Sequence, residues 1–333
     1  MRNFQNNKNV YKLFFMFFVA LCSFFISVFW NSGEFGFRKM FDAFWMHSSG
    51  SVLRYIVWNI RVPRALLGFF VGGGLAVSGC VFQTLLRNPM AEPFTLGVSG
   101  GGALGIAVAV FLGLKGFFLL GFGLAGGILT IVFVYLIAFF KEFSSNALIL
   151  SGIAANYVFS SSVLLLIGFS EDDGLRSALM WLMGDVSFAP YENVFFASFG
   201  IVFLCVLIFI YSFELDVMSL GDEKAQSVGV KVDSIRKILF VFASLIAGIC
   251  VAVSGIVGFV GLMIPHFARK YLSSRHIYLI PGSFLAGSVF FVLCDTVSKN
   301  AVSPRQIPVG IITGFIGGIF FIILALKEKL KGV

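Results

Sequence analysis

The side chains able to do chemistry in this 333-residue chain are few and scattered. Cys22, Cys80, Cys205, Cys250 and Cys294 each lie inside an apolar run, with no C-x-x-C pair and no Cys/His spacing. That pattern describes packing residues rather than a metal or redox site. His266 and His276 lack the i, i+4 spacing and the intervening glutamate of a zinc-protease helix, so a role at a helix end is expected of them. Gly100, Gly101, Gly102 and Gly105, and again Gly121, Gly123 and Gly126, satisfy G-x-G-x-x-G, yet neither run opens a helix after a soluble strand. No Ser/His/Asp set, no G-x-S-x-G and no G-x-x-x-x-G-K-[ST] occurs. The expectation is a chain that is no enzyme, binds no metal and does not itself hydrolyse ATP.

Composition sets the elements that must carry these residues. Hydrophobic residues make up 59% of the chain and charged ones 12%, with a mean hydropathy of +0.98. Soluble domains carry about a quarter charged residues. The 24 basic and 16 acidic side chains give a net charge of +8, but they sit in short gaps between apolar runs and form no basic domain, which argues against a nucleic-acid partner. Crossing a bilayer core takes about 20 apolar residues. On that ruler the chain reads as an all-α integral membrane protein, one domain over 1–333, with ten spans at 13–30, 64–86, 95–112, 117–140, 146–168, 190–211, 235–255, 256–270, 277–297 and 307–326. The first run follows Arg2, Lys8 and Lys12 and is longer than the about 7 to 15 residues of a signal-peptide core, so it is expected as an uncleaved helix. The third and eighth runs are short or interrupted by Gly and Pro, and are expected as broken helices lining a cavity.

Orientation follows from the basic residues of the loops. An inward N-terminus puts fifteen of the 24 in the cytoplasm and both termini with them. The other nine are Arg38, Lys39, Arg54, Arg61, Arg64, Lys115, Arg176, Lys299 and Arg305. That outward surplus suits a partner with an acidic surface. Asp295, with Lys299 one turn on, is the clearest ionisable residue at membrane depth.

Two polar segments stand out. Ser219 with Asp222 three residues later reads as a capping box, and Gly229 as a C-terminal cap, so a short cytoplasmic helix is expected there. It is either a solvated connector or a docking helix for a cytoplasmic subunit. Arg61-Val62-Pro63-Arg64 places a proline in a first helical turn between two arginines, which are interfacial anchors or a docking patch. Gly310, Gly314 and Gly318, like the G-x-G-x-x-G runs, are expected at close helix approaches. Ala76-Val77-Ser78-Gly79 is echoed by Ala252-Val253-Ser254-Gly255, either a trace of two inverted halves or chance.

Longer motifs resemble one family. They are RVPR at 61–64, GLAVSGCVFQTLLRNPMAEPFTLGVSGGGALG at 74–105, LILSGIAAN at 148–156, WLMGD at 181–185, LGDEKAQSVGV at 220–230, AVSGIVGFVGLMIPHFAR at 252–269 and IPVGIITGFIGG at 307–318. In this order they resemble the FecCD-type permeases, membrane subunits of ATP-binding-cassette importers for iron-siderophores, haem and cobalamin. The resemblance implies a ten-helix permease of a prokaryotic cytoplasmic membrane, paired with a second copy or a close paralogue. Two ATPase subunits would sit below and a solute-binding protein above. ATP and Mg2+ would be used by the ATPase partner, and no cofactor is implied for this chain. By resemblance, Leu220, Gly221, Asp222, Glu223 and Ala225 form the ATPase-coupling segment, near 214–234. Arg61, Arg64 and Lys299 look like the cluster that pairs with binding-protein carboxylates, Lys299 standing where an arginine is expected. Gly152, Asn156, Trp181 and Gly184 are the expected pathway residues. An iron-siderophore is the first expectation for cargo, with haem or cobalamin as alternatives and an ion-coupled secondary transporter as the rival class.

Overall fold

The computed structural model describes residues 2–30, 37–45, 52–114, 116–141, 145–169, 182–187, 189–302 and 306–329, and every regular element among them is helical. Helix α1 (Arg2–Phe29) is followed by α2 (Phe37–Trp45) and α3 (Val52–Tyr55). A π-helical turn, Ile56–Arg61, then leads without a break into α4 (Val62–Leu85). Next come α5 (Val98–Phe111), α6 (Phe117–Phe139), α7 (Ser145–Gly168) and α8 (Tyr191–Ile210). Two short helices, α9 (Ser212–Met218) and α10 (Asp222–Ser227), precede α11 (Val232–Ser254), α12 (Val260–Tyr271), α13 (His276–Asn300) and α14 (Val309–Lys329).

Seven described stretches are long and apolar enough to cross a membrane, and Val98–Phe111 and Val309–Leu324 are shorter apolar helices. With α12 they account for all ten expected spans. At 1.5 Å per residue, the 14 residues of α5 and the 12 of α12 reach about 21 and about 18 Å, short of the about 30 Å of a hydrocarbon core. These are the two runs expected to be broken. The second span differs from expectation: it starts at Val52, not 64, because the π turn carries the helix through Arg61.

Helix α4 is the hub, buried along almost its whole length and packed against α8, α11, α12 and α13. Small residues make this possible, since helices in lipid gain more from close backbone approach than from apolar transfer. A Cβ on Gly79 would lie 1.9 Å from the Gly261 carbonyl oxygen of α12, and one on Gly72 would lie 2.4 Å from that of Gly287 on α13. The two G-x-G-x-x-G runs face one another across the α5–α6 contact. A Cβ on Gly101 would lie 2.5 Å from the Gly126 carbonyl oxygen, and one on Gly105 would lie 2.0 Å from that of Phe122. Gly310 also meets backbone, for a Cβ there would lie 2.3 Å from the Met183 carbonyl oxygen. Gly314 and Gly318 do not: nothing lies within 4 Å of a Cβ at either, and Gly317 instead seats the ring of Phe259. The echoed tetrapeptides are not equivalent, for Gly79 is inside α4 while Gly255, at φ +69°, closes α11. Outward faces are aromatic: Phe195, Phe199 and Phe203 stack one turn apart along α8, all exposed.

Candidate functional site

Three polar centres interrupt this apolar body. The first is where α1 ends, α4 begins and α13 ends. Asp295, 1% exposed, accepts from Arg64 Nε at 3.0 and 3.1 Å and from Nη2 at 2.8 Å, while Arg64 Nη1 donates to Gln306 at 2.6 Å. Lys299 Nζ lies 3.9 Å from Asp295 but donates to the Ser27 carbonyl and hydroxyl at 2.6 and 2.9 Å. Arg61 donates to the carbonyls of Val28 and Trp30, each at 3.1 Å. Two cations thus neutralise the carbonyl end of α1, where the helix dipole is negative. The expected docking trio is brought together, but Arg64 and Lys299 are turned inward and Arg61 is partly engaged. The i, i+4 pairing of Asp295 with Lys299 is secondary to the bidentate arginine.

The second centre lies where broken segments meet. Glu92, 7% exposed in the non-helical link 86–97, accepts from the Phe259 N–H at 3.2 Å, at the start of α12. Phe259 adopts φ +68°, rare for a bulky residue, and is held by this bond on one side and by Gly317 on the other. Nearby, the Gly184 carbonyl accepts from Gly310 N–H at 3.3 Å, and Asp185 N–H donates to Ser254 at 2.8 Å. Gly184 is at φ +75°, and a Cβ there would lie 2.5 Å from the Ile256 carbonyl oxygen, so only glycine fits. A hollow of about 360 Å³ opens here, lined by Glu92, Met183, Ile256, Phe259 and Gly310 among others.

Of the expected pathway residues, Gly184 does not line this hollow but packs behind it, against its lining residues Ile256 and Gly310. Nor does Gly152 line it: a Cβ there would lie 2.5 Å from Leu96 Cα, so it seats the 86–97 link against α7. Asn156 is half-buried beside Gly100, and its Oδ1 has no hydrogen-bond partner among the described residues. Trp181 lies outside the described residues.

The third centre surrounds α10. Asp222, its first residue, accepts from Arg236 Nη2 with both oxygens at 2.8 Å and from Arg87, which follows α4. One carboxylate therefore ties α10 to the end of α4 and the start of α11. The expected capping box does not form, because Ser219 Oγ donates back to the Asp216 carbonyl at 2.6 Å and Gly221, at φ +124°, leads into the helix. Gly229 at φ +86° does close it. Ala225 is fully buried, whereas Leu220 and Glu223 face outward. Beside this centre, Asp216 on α9 accepts from the His276 backbone N–H at 2.7 Å and meets its Nδ1 at 2.6 Å, while Nε2 lies 2.9 Å from Thr84 of α4. His276 is at a helix end as expected, but knits three helices there.

Sequence reasoning missed Glu92, Arg87, Arg236 and Asp216 as site residues. Glu92 and Arg87 were visible as charges within an apolar stretch. Arg236 is by its sequence one more basic residue at the edge of an apolar run, and nothing local to it points to Asp222.

A bundle of apolar helices with two half-length members and a polar face tied to its hub helix has the architecture of a polytopic membrane protein. The chain belongs to the FecCD transport family, which matches residues 19–327. It is 34% identical over 295 residues to the hemin transport system permease protein HmuU of Yersinia pestis, covering 87% of this chain and 88% of that one. It is 34% identical over 287 residues to the vitamin B12 import system permease protein BtuC of Salmonella arizonae, covering 85% and 86%. Among solved structures, an inward-facing conformation of a putative metal-chelate type ABC transporter superposes with a TM-score of 0.84 at 30% identity, over 95% of this chain and 98% of that one. The protein is an ABC importer permease of a prokaryotic cytoplasmic membrane, and its relatives are permease subunits of such transporters.

Proposed function

We propose that this permease carries an iron-siderophore complex inward, paired with an identical or closely related permease over two ATP-binding subunits, with a solute-binding protein docking on the opposite face. The observation that carries the coupling part is the Asp222 clamp: a push on α10 is transmitted through Arg87 and Arg236 to α4 and α11. ATP and Mg2+ act in the ATPase partner, whose closure moves α10 and biases the permease between two states by differential contacts. Leu220 and Glu223 are the residues offered to that partner. With α10 cytoplasmic, the first half of α1 and the last turns of α14 lie towards the same side, because Lys12 of α1 bonds the Tyr271 carbonyl beside α13's start and Lys327 of α14 shares a hollow with Lys270.

Cargo passes by the hollow lined by Glu92, Met183 and Gly310, which Gly184 backs. On the opposite face Arg61 remains the docking residue of the expected trio, with the exposed Arg38 and Lys39 of α2 adding positive charge. An iron chelate is supported by the metal-chelate transporter whose fold this chain shares; haem and cobalamin, named for two relatives, are the alternatives. The test is to copurify the tagged permease with its partners in mild detergent, assay ATP hydrolysis, and measure uptake of labelled iron-siderophore, haem and cobalamin. A stoichiometric ATPase with iron-siderophore uptake supports the proposal. Uptake of haem or cobalamin alone replaces the cargo, and a stable permease that retains no ATPase would overturn the proposed assembly.

A further inference from the structure

One apolar hollow belongs to neither the pathway nor the coupling face. It lies between α1, α12, α13 and α14, holds about 480 Å³, and is lined by Met16, Val19, Ala286, Val289, Phe290 and other apolar side chains. Towards the α10 side it runs into a second hollow of about 450 Å³, sharing Phe267, Tyr271 and Phe320, whose rim carries His266, Lys270 and Lys327. Lys12 stands next to that rim, against Tyr271: its Nζ donates to the Tyr271 carbonyl and lies 5.0 Å from the ring centroid of the same residue. Lys270 and Lys327 are exposed, and neither has a carboxylate within ion-pair distance among the described residues.

A long greasy channel that ends in three ammonium groups on one side of the molecule has the polarity pattern of a single class of membrane molecule. We propose that this groove is a binding site for one anionic glycerophospholipid, its acyl chains along α1 and α13 and its phosphate among Lys12, Lys270 and Lys327. Acyl chains gain van der Waals contact in a groove that neighbouring helices leave unfilled. The headgroup charge is drawn to lysines at the membrane surface. A protein segment would have to supply both an aliphatic ridge and an acidic end. A phospholipid carries both and is present at the concentration of the membrane itself. The site is independent of what the permease transports, so it does not stand or fall with the cargo.

The experiment is native mass spectrometry of the intact transporter complex, released from nanodiscs holding equal amounts of phosphatidylglycerol and phosphatidylethanolamine with the same acyl chains. One retained phosphatidylglycerol per permease chain, preferred by about tenfold or more, is expected. The triple variant Lys12→Gln, Lys270→Gln, Lys327→Gln should lose that preference. Val289→Trp, which fills the groove without touching the rim, should lose both lipids, with a gel-filtration profile matching the wild type as the check on folding. Equal retention of the two lipids by the wild type would overturn the proposal. So would undiminished phosphatidylglycerol in the triple variant, or efficient self-cross-linking of Phe15→Cys showing that a second copy covers the groove.

Discussion

Arg64 and Asp295, 231 residues apart in sequence, meet side-on inside the protein with two guanidinium nitrogens on one carboxylate, and their side chains are only 5% and 2% exposed. Arg64 was expected to offer its charge to a partner. The pair instead ties the first turn of α4 to the last turns of α13, and Gln306 extends the bond toward α14. A charge so far from water is tolerated because each donor has an acceptor.

Removing one member strands the other. Asp295→Ala should cost about 3 to 5 kcal/mol, seen as a lower midpoint of thermal unfolding in detergent. Arg64→Met combined with Asp295→Leu should recover most of the loss. If the single variant melts like the wild type, the pair does not hold the corner together.

Asp222 and Glu223 are neighbours with different duties. Glu223 is exposed and unpaired among the ion pairs of the described residues, so Glu223→Lys should lower ATP-driven transport by weakening contact with the ATPase while leaving the permease's unfolding midpoint unchanged. Asp222→Asn should instead loosen Arg87 and Arg236, leaving the ATPase bound but transport uncoupled from hydrolysis. Transport and hydrolysis measured in the same proteoliposomes separate the two, and identical behaviour would contradict the clamp.

Gly79 and Gly318 test whether the glycine pattern serves this chain or an interface. Gly79→Ala pushes a methyl into the Gly261 backbone and should destabilise by at least about 1 to 3 kcal/mol. Gly318→Ala meets nothing within the chain and should leave the isolated permease's stability unaltered. If it nevertheless weakens assembly of the complex on gel filtration, α14 lies against a second permease; if assembly is intact too, that face meets lipid.

Glu92 holds the amide of Phe259. Glu92→Leu leaves that N–H without its acceptor, a cost of about 1 to 3 kcal/mol, and should disorder the start of α12. Glu92→Gln keeps an acceptor oxygen and should hold the fold. Amide exchange at Phe259, slow in wild type and Gln but fast in Leu, is the outcome that checks it.

Sequence alone determined the class, the number and the rough bounds of the spans. Apolar runs of bilayer length leave a chain few options, because backbone groups in hydrocarbon must be satisfied within the helix. The shortness of α5 and α12 and the facing glycines of α5 and α6 were legible for the same reason: length and small side chains are local properties. The motif order carried the family. Tertiary structure decided which charges are free. Arg64, Lys299 and Asp222 look alike on paper to any exposed charge, yet their partners are 231, 272 and 135 residues away for Asp295, Ser27 and Arg87 respectively. It also seats Leu96 against Gly152 and gives Glu92 a partner in Phe259. Ion pairs and close approaches between distant helices depend on the relative rotation and height of each helix, and periodicity within a single helix does not encode either.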